Sequence, residues 1–236
     1  MQSKQVNKHY LIVLICLAVL AVTAVSVLEP RVVPESDALS YLAAMAGFDS
    51  GGGASLGTLA YRIVVAGGGI WTIIGLSKIL GSYENAWMFL NVFFYAGSVM
   101  FAYELIRRLH GSRNVALLSA MFLAGNYAMV TYGLGYFMDA GGWMFYILSA
   151  LGVLMYAQSG QQRYLWLAGA AVGVGGLFKE YPFLGALLIG LYLIYENWRK
   201  PLDFLQKVWK PAVIAAVPTS ILHGIVYFKY HFTYFD

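Results

Sequence analysis

Charge is scarce in this chain. Asp, Glu, Lys and Arg make up 11% of its 236 residues, whereas 60% are hydrophobic. A soluble domain is usually about 25% charged and roughly 45–50% apolar, so a water-soluble fold could not cover this much apolar surface. Lipid must be the solvent for much of it. Cysteine is nearly absent: Cys16 stands alone inside the first apolar run, which excludes an intrachain disulfide and says nothing about redox compartment. The net charge of +4 comes without a basic helix or an aromatic–basic groove, which excludes a nucleic-acid partner of the usual kinds. The four histidines are scattered: His9 and His110 flank apolar runs, His223 lies inside the last one and His231 follows it. They form no zinc-like spacing with Cys, Asp or Glu. No phosphate-binding glycine loop at a strand–helix junction is present either.

Long apolar runs fill the space that charge leaves. Those of membrane length span 10–28, 84–105, 114–133, 141–158, 164–179, 182–196 and 211–229. At roughly 20 apolar residues per crossing they predict an all-α membrane protein of about seven transmembrane helices, folded as a single transmembrane domain over 1–236. The first run, at about 19 residues, exceeds the h-region of a typical signal peptide and reads as a retained anchor. Residues 29–83 differ in character. They carry Pro30, Pro34, the run Gly51-Gly52-Gly53 and an apolar stretch, 57–80, that is interrupted by Arg62, Gly67-Gly68-Gly69 and Lys78.

Lys and Arg in short loops set orientation. Lys4 and Lys8 precede the first run; Arg107, Arg108 and Arg113 follow the second; Arg163, then Arg199, Lys200, Lys207 and Lys210, occupy later turns. All these groups fall on one side only if 57–80 does not cross. The sequence therefore predicts that 29–83 is an outer loop with interfacial helices, that 197–210 is a cytoplasmic amphipathic helix, and that the N-terminus is cytoplasmic. In 164–196, Lys179-Glu180-Tyr181-Pro182 falls mid-segment. Pro182 cannot continue a helix without losing a hydrogen bond, and a charge at the bilayer centre costs about 2.5–3.5 kcal/mol. Two short spans meeting at an outer break satisfy both constraints. Gly169 and Gly173 have the spacing that lets helices approach closely.

The outer face then holds most of the acids, and three places stand out. Asp37 follows Pro34-Glu35-Ser36 and precedes Tyr41 by one helical turn, so both share a face. A carboxylate there could accept a proton from a sugar hydroxyl, or simply cap the helix. Asp139, in Gly133-Leu-Gly-Tyr-Phe-Met-Asp139, could orient a ligand, assist a divalent cation, or cap the next helix. Lys179 could meet an anionic group such as a lipid phosphate, or pair with another acid; Glu180 is its neighbour, and Arg62 offers a second cation on the same side.

The order of these features resembles the GT-C superfamily of polytopic glycosyltransferases, in particular protein O-mannosyltransferases and lipid A aminoarabinose transferases. The likeness rests on an acid and Tyr41 in the first outer loop, then Glu104-Leu-Ile-Arg107-Arg108-Leu-His-Gly111, the outer Asp139, and Gly175-Gly-Leu-Phe-Lys179-Glu180. It covers about residues 10–196, the N-terminal membrane module of that fold. The resemblance implies a polyprenyl-phosphate sugar donor and a general base in the first outer loop, here Asp37. Relatives often carry an acidic pair there, and this chain has Ala38 at the second place, with Glu35 upstream. Substrate contacts are expected at Tyr41, Arg62, Asp139, Lys179 and Glu180, with Arg62 and Lys179 on the phosphate. A divalent cation (Mg or Mn) at Asp37 and Asp139 is the expectation for any cofactor. Transfer would invert the sugar carbon on the periplasmic face of a bacterial inner membrane, with membrane lipids and further membrane subunits as partners. Relatives are commonly longer, so the chain is expected to be a core module. A non-catalytic lipid-binding or scaffold subunit, or a small-solute transporter, are the competing expectations.

Overall fold

A computed structural model describes residues 36–49 and 56–231, together with Ile12 and Cys16 of the first apolar run, which are both helical. The predicted span 10–28 otherwise lies outside the described residues. Among them, regular structure is helical throughout: α1 (Ser36–Asp49), α2 (Leu56–Leu80), α3 (Tyr83–His110), α4 (Arg113–Ala124), α5 (Tyr127–Leu134), α6 (Asp139–Ser159), α7 (Arg163–Gly175), α8 (Phe183–Asn197) and α9 (Pro201–Tyr230).

Local chemistry sets these limits. Ser82 and Ser112 cap α3 and α4 by accepting the Asn85 and Val115 amides, satisfying donors that a helix start leaves orphaned. Gly111 and Gly160 end α3 and α6 at φ 68°, the left-handed conformation only glycine adopts without strain. Asn126 restarts the chain by accepting the Ala128 amide, and α4 and α5 meet there at 58°.

Among the described residues, four helical stretches are long and apolar enough to cross a bilayer: Arg62–Leu80, Tyr83–His110, Asp139–Ser159 and Pro201–Lys229; the bent α4–α5 pair makes a fifth if it counts as one span. The expected runs 164–179 and 182–196 become α7 and α8, of 13 and 15 residues. At 1.5 Å per residue both fall short of a hydrocarbon core about 30 Å thick. Of residues 197–210, expected as a separate amphipathic helix, Asn197 ends α8 and 201–210 form the opening turns of α9. The face of α9 bearing Val213, Val217, Ile221, Ile225 and Phe228 is exposed, as a lipid-facing stripe is.

α3 is the centre. Trp87, Tyr95 and Tyr103 on it are fully buried or nearly so. In lipid the helices associate mainly by close packing, which favours small residues at contacts. Accordingly a Cβ on Gly169 would lie 2.5 Å from the Pro211 carbonyl oxygen, and one on Gly173 would lie 2.8 Å from that of Ala215, so α7 rests directly on the α9 backbone.

The bundle has two chemically distinct ends. At one, Gln158 and Arg108 exchange hydrogen bonds (3.2 and 3.3 Å), and Tyr156 and Lys207 both donate to Glu196 (2.9 and 3.0 Å). These contacts gather the α3–α4, α6–α7 and α8–α9 turns, with most of the cations, at that end. The α2–α3 turn, the α5–α6 loop and the α7–α8 break share the other. Both limits of the apolar part of α2 are tied to this second end. Lys78 and Tyr83 both donate to Asp49 of α1, while Arg62 packs on Tyr41, which abuts Trp87. Tyr83 and Trp87 are one turn apart at the start of α3, so both limits of this stretch are linked to the start of α3 through α1.

Candidate functional site

The α7–α8 break is the keystone of this end. After Gly175 the amides of Phe178 and Lys179 turn back onto the Gly175 carbonyl (2.9 and 3.1 Å), and Pro182 starts the next helix. Phe178 is buried, edge-on to Phe94 at 4.9 Å and stacked on Phe145 at 5.7 Å, which anchors the backbone carrying Lys179 and Glu180. Gly141 and Gly142 of α6 admit the break. A Cβ on Gly142 would meet Lys179 Cβ at 2.9 Å, so Lys179 stands against the first turn of α6, where Asp139 lies.

α2 is pinned to the same break. Its backbone leaves helical geometry at Ala66 (φ −142°, ψ 30°), and the amides of Gly68 and Gly69 then donate to the Leu177 carbonyl at 2.9 and 3.3 Å. The triple glycine, which the sequence offers as an interruption of an apolar stretch, is thus the surface through which α2 docks. A third anchor comes from α3. Asn91 donates to the carbonyls of Gly135 (2.5 Å) and Phe137 (2.9 Å), and the Trp87 indole donates to the latter at 3.3 Å. This holds the loop from which Asp139 opens α6.

These anchors bring four of the predicted residues into one neighbourhood. Tyr41 is buried, with its ring 5.8 Å from Trp87, and the Arg62 guanidinium lies 4.7 Å above its centroid, within cation–π range. Tyr41 and Asp139 both act on Lys179, and Asp139 also acts on the Tyr181 phenol. Burial alone would lower the Lys179 pKa; the proximity of Tyr41, Asp139, Glu180 and Tyr181 outweighs it, and the ammonium ends above its ordinary value. Burial, then the Asp139 carboxylate, pushes the Tyr181 phenol up. The N-cap of α6 is Met138, without a side-chain capping bond. Asp139 is the first helical residue, and Tyr181 and Lys179 near it belong to another element.

Glu180 is exposed and turns toward a cavity on the far side of the break. Position 37 is the second residue of α1, one turn before Tyr41 on the same helix face; its side chain lies outside the described residues. No group of three or more His, Cys, Asp or Glu among the described residues could hold a metal ion. Of the two carboxylates expected at a divalent cation, Asp139 is described, with Lys179 and Tyr181 near it, and the Asp37 side chain is not. Sequence reasoning passed over Trp87, Asn91 and Tyr181. The available signal for Asn91 was an amide inside an otherwise apolar run, a costly placement unless it has partners.

Membrane-length helices with a polar cluster at one bundle end define a polytopic membrane protein with a terminal site. The dolichyl-phosphate-mannose-protein mannosyltransferase family matches over residues 67–223, and the chain belongs to that family of GT-C-type membrane glycosyltransferases. Asp139, Lys179 and Glu180 fall inside the matched region; Asp37, Tyr41 and Arg62 precede it. Neither the curated proteins nor the solved structures yield a match.

Proposed function

We propose that this end of the bundle faces the outer compartment and transfers a sugar from a polyprenyl-phosphate donor to an acceptor hydroxyl. The observation that carries the reading is the convergence of Lys179, Arg62, Tyr41 and Asp139, within a chain of this family, at the end opposite the cationic turns. The donor's phosphate is anionic before transfer and gains charge as its ester bond to the sugar breaks. Preorganised cations at that point lower the barrier because they stabilise charge that develops in the transition state. Lys179 and Arg62 supply them, and Asp139 with Tyr181 orients the Lys179 ammonium.

The acceptor oxygen forms its bond to the anomeric carbon as the bond from that carbon to the phosphate oxygen breaks. The configuration inverts, the acceptor proton passes to the Asp37 carboxylate, and polyprenyl phosphate departs. A positioned base of this kind contributes about 10²–10⁴-fold. Support for Asp37 is its place one turn from Tyr41, which packs on Arg62. Membrane lipids surround the donor, and further membrane subunits would complete the acceptor side.

The test is transfer of labelled sugar from polyprenyl-phosphate mannose to acceptors in membranes containing the protein. Asp37→Asn should lower transfer by at least about 10²-fold while leaving donor binding intact. Transfer at the wild-type rate in Asp37→Asn would remove that residue from the reaction.

A further inference from the structure

Lys179 and Glu180 are neighbours in the break, yet they serve opposite sides of it. Lys179 stands against α6 and Asp139. Glu180 lines a separate cavity of about 260 Å³ enclosed by α2, α8 and α9, with Val64, Val65, Phe183, Thr219 and His223. We propose that this cavity is a binding site for an uncharged hydroxylated ring, a single sugar unit; the identification of that ligand rests on the glycosyltransferase reading above.

The chemistry of the walls selects the ligand. Ligand sites are mostly apolar with a few convergent polar groups, and commonly span about 300–1,000 Å³. This one falls just below that range, so it suits one small ring. Thr219 Oγ1 is buried and has no hydrogen-bond partner among the described residues. Leaving a buried hydroxyl unsatisfied costs about 1–3 kcal/mol, which a hydrocarbon chain in the cavity would not relieve. His223 is one turn further along α9 and can donate and accept; Glu180 accepts. An ionisable residue such as His223 within a membrane-length helix marks a functional site by default, because such placements are costly. Among the described residues the lining contains no lysine or arginine, and the Glu180 carboxylate disfavours anions, so a phosphate belongs on the Lys179 side of the break instead. Val64, Val65 and Phe183 give apolar walls for the C–H faces of a ring.

Two sources could supply such a ring: the sugar of the donor, or a sugar already on the acceptor. The test is saturation-transfer NMR with methyl α-mannoside as probe, on the full chain in lipid nanodiscs. The wild-type protein should transfer saturation to the probe. Thr219→Val, which preserves side-chain shape, and His223→Leu should together weaken binding about tenfold or more, while Lys179→Met leaves it unchanged. Retained binding of polyprenyl phosphate by the double variant shows that the fold survives. Displacement of the probe by polyprenyl-phosphate mannose assigns the cavity to the donor's sugar; co-binding assigns it to the acceptor's. No saturation transfer, undiminished binding in the double variant, or loss confined to Lys179→Met would each overturn the site. The last outcome would place the sugar in the Lys179 cluster and leave the transferase reading standing, whereas that reading fails if the wild-type protein transfers no labelled sugar from polyprenyl-phosphate mannose, an assay this measurement does not involve.

Discussion

Lys179 sits where burial and neighbouring groups act in opposite directions, and the neighbours win. The sign matters for pH. A lysine whose folded pKa exceeds its unfolded value of about 10.4 contributes stability at all pH values below that number, and the contribution fades only as pH rises through the folded value. Above the second pKa of the phosphate monoester, about 6, binding of polyprenyl phosphate through Lys179 should therefore be flat between pH 7 and pH 9. A charge-assisted contact is worth about 1.5–3 kcal/mol, so Lys179→Met should weaken that binding by about 10- to 100-fold, with Lys179→Arg intermediate. Equilibrium binding of fluorescent polyprenyl phosphate across that pH range checks both statements. A loss of binding between pH 7 and 9 in the wild type, absent from Lys179→Met, would mean that the ammonium titrates early. Lys179 and Asp139 were legible in the sequence because isolated charges stand out against an apolar background and cluster at turns. Asn91 was not, because nothing local indicates that its amide holds a carbonyl 44 residues away.

At the scale of elements, α2 shows how a signal can be seen and its meaning missed. Three consecutive glycines weaken an isolated helix, so 67–69 read as an interruption. The structure uses two of them as bare backbone: the kink at Ala66 frees amides that the Leu177 carbonyl takes up, and the contact leaves no room for a side chain. A Cβ on Gly68 would lie 2.5 Å from Leu177 Cβ and 2.9 Å from its carbonyl oxygen. Gly68→Ala should therefore destabilise the protein by about 1–3 kcal/mol, the usual cost of overpacking, and displace the break carrying Lys179. Gly75, in the same helix, has nothing within 4 Å of such a Cβ. Gly75→Ala should be neutral or stabilising by up to about 1 kcal/mol. Unfolding in detergent separates the two, and equal effects would mean that the docking contact contributes nothing. The helix ends at Ser82, Gly111, Ser112 and Gly160 rest on local capping chemistry. The docking was not legible in the sequence, because it depends on a partner more than 100 residues further along the chain.

For the whole molecule, the distribution of charge and the position of α2 have to agree. Arg107, Arg108, Arg113, Arg163 and Lys207 share the end that the Arg108–Gln158 and Lys207–Glu196 contacts define. Cationic turns favour the cytoplasm, which supports the proposed outward placement of the Lys179 end. The stretch Arg62–Leu80 is long and apolar enough to cross, and a crossing there would reverse the side on which everything after it lies. The contacts argue otherwise, since Arg62 and Lys78 both reach the first turns of α3 through Tyr41 and Asp49. In a Cys16→Ser background, single cysteines at positions 62, 78 and 180 should react with a membrane-impermeant maleimide from the outside. A cysteine at 112 or 161 should react only after the membrane is permeabilised. Labelling of 62 and 78 from opposite sides would show α2 threading the bilayer; Arg62 and Lys179 could then not hold the same phosphate, because the helices would carry them to different compartments.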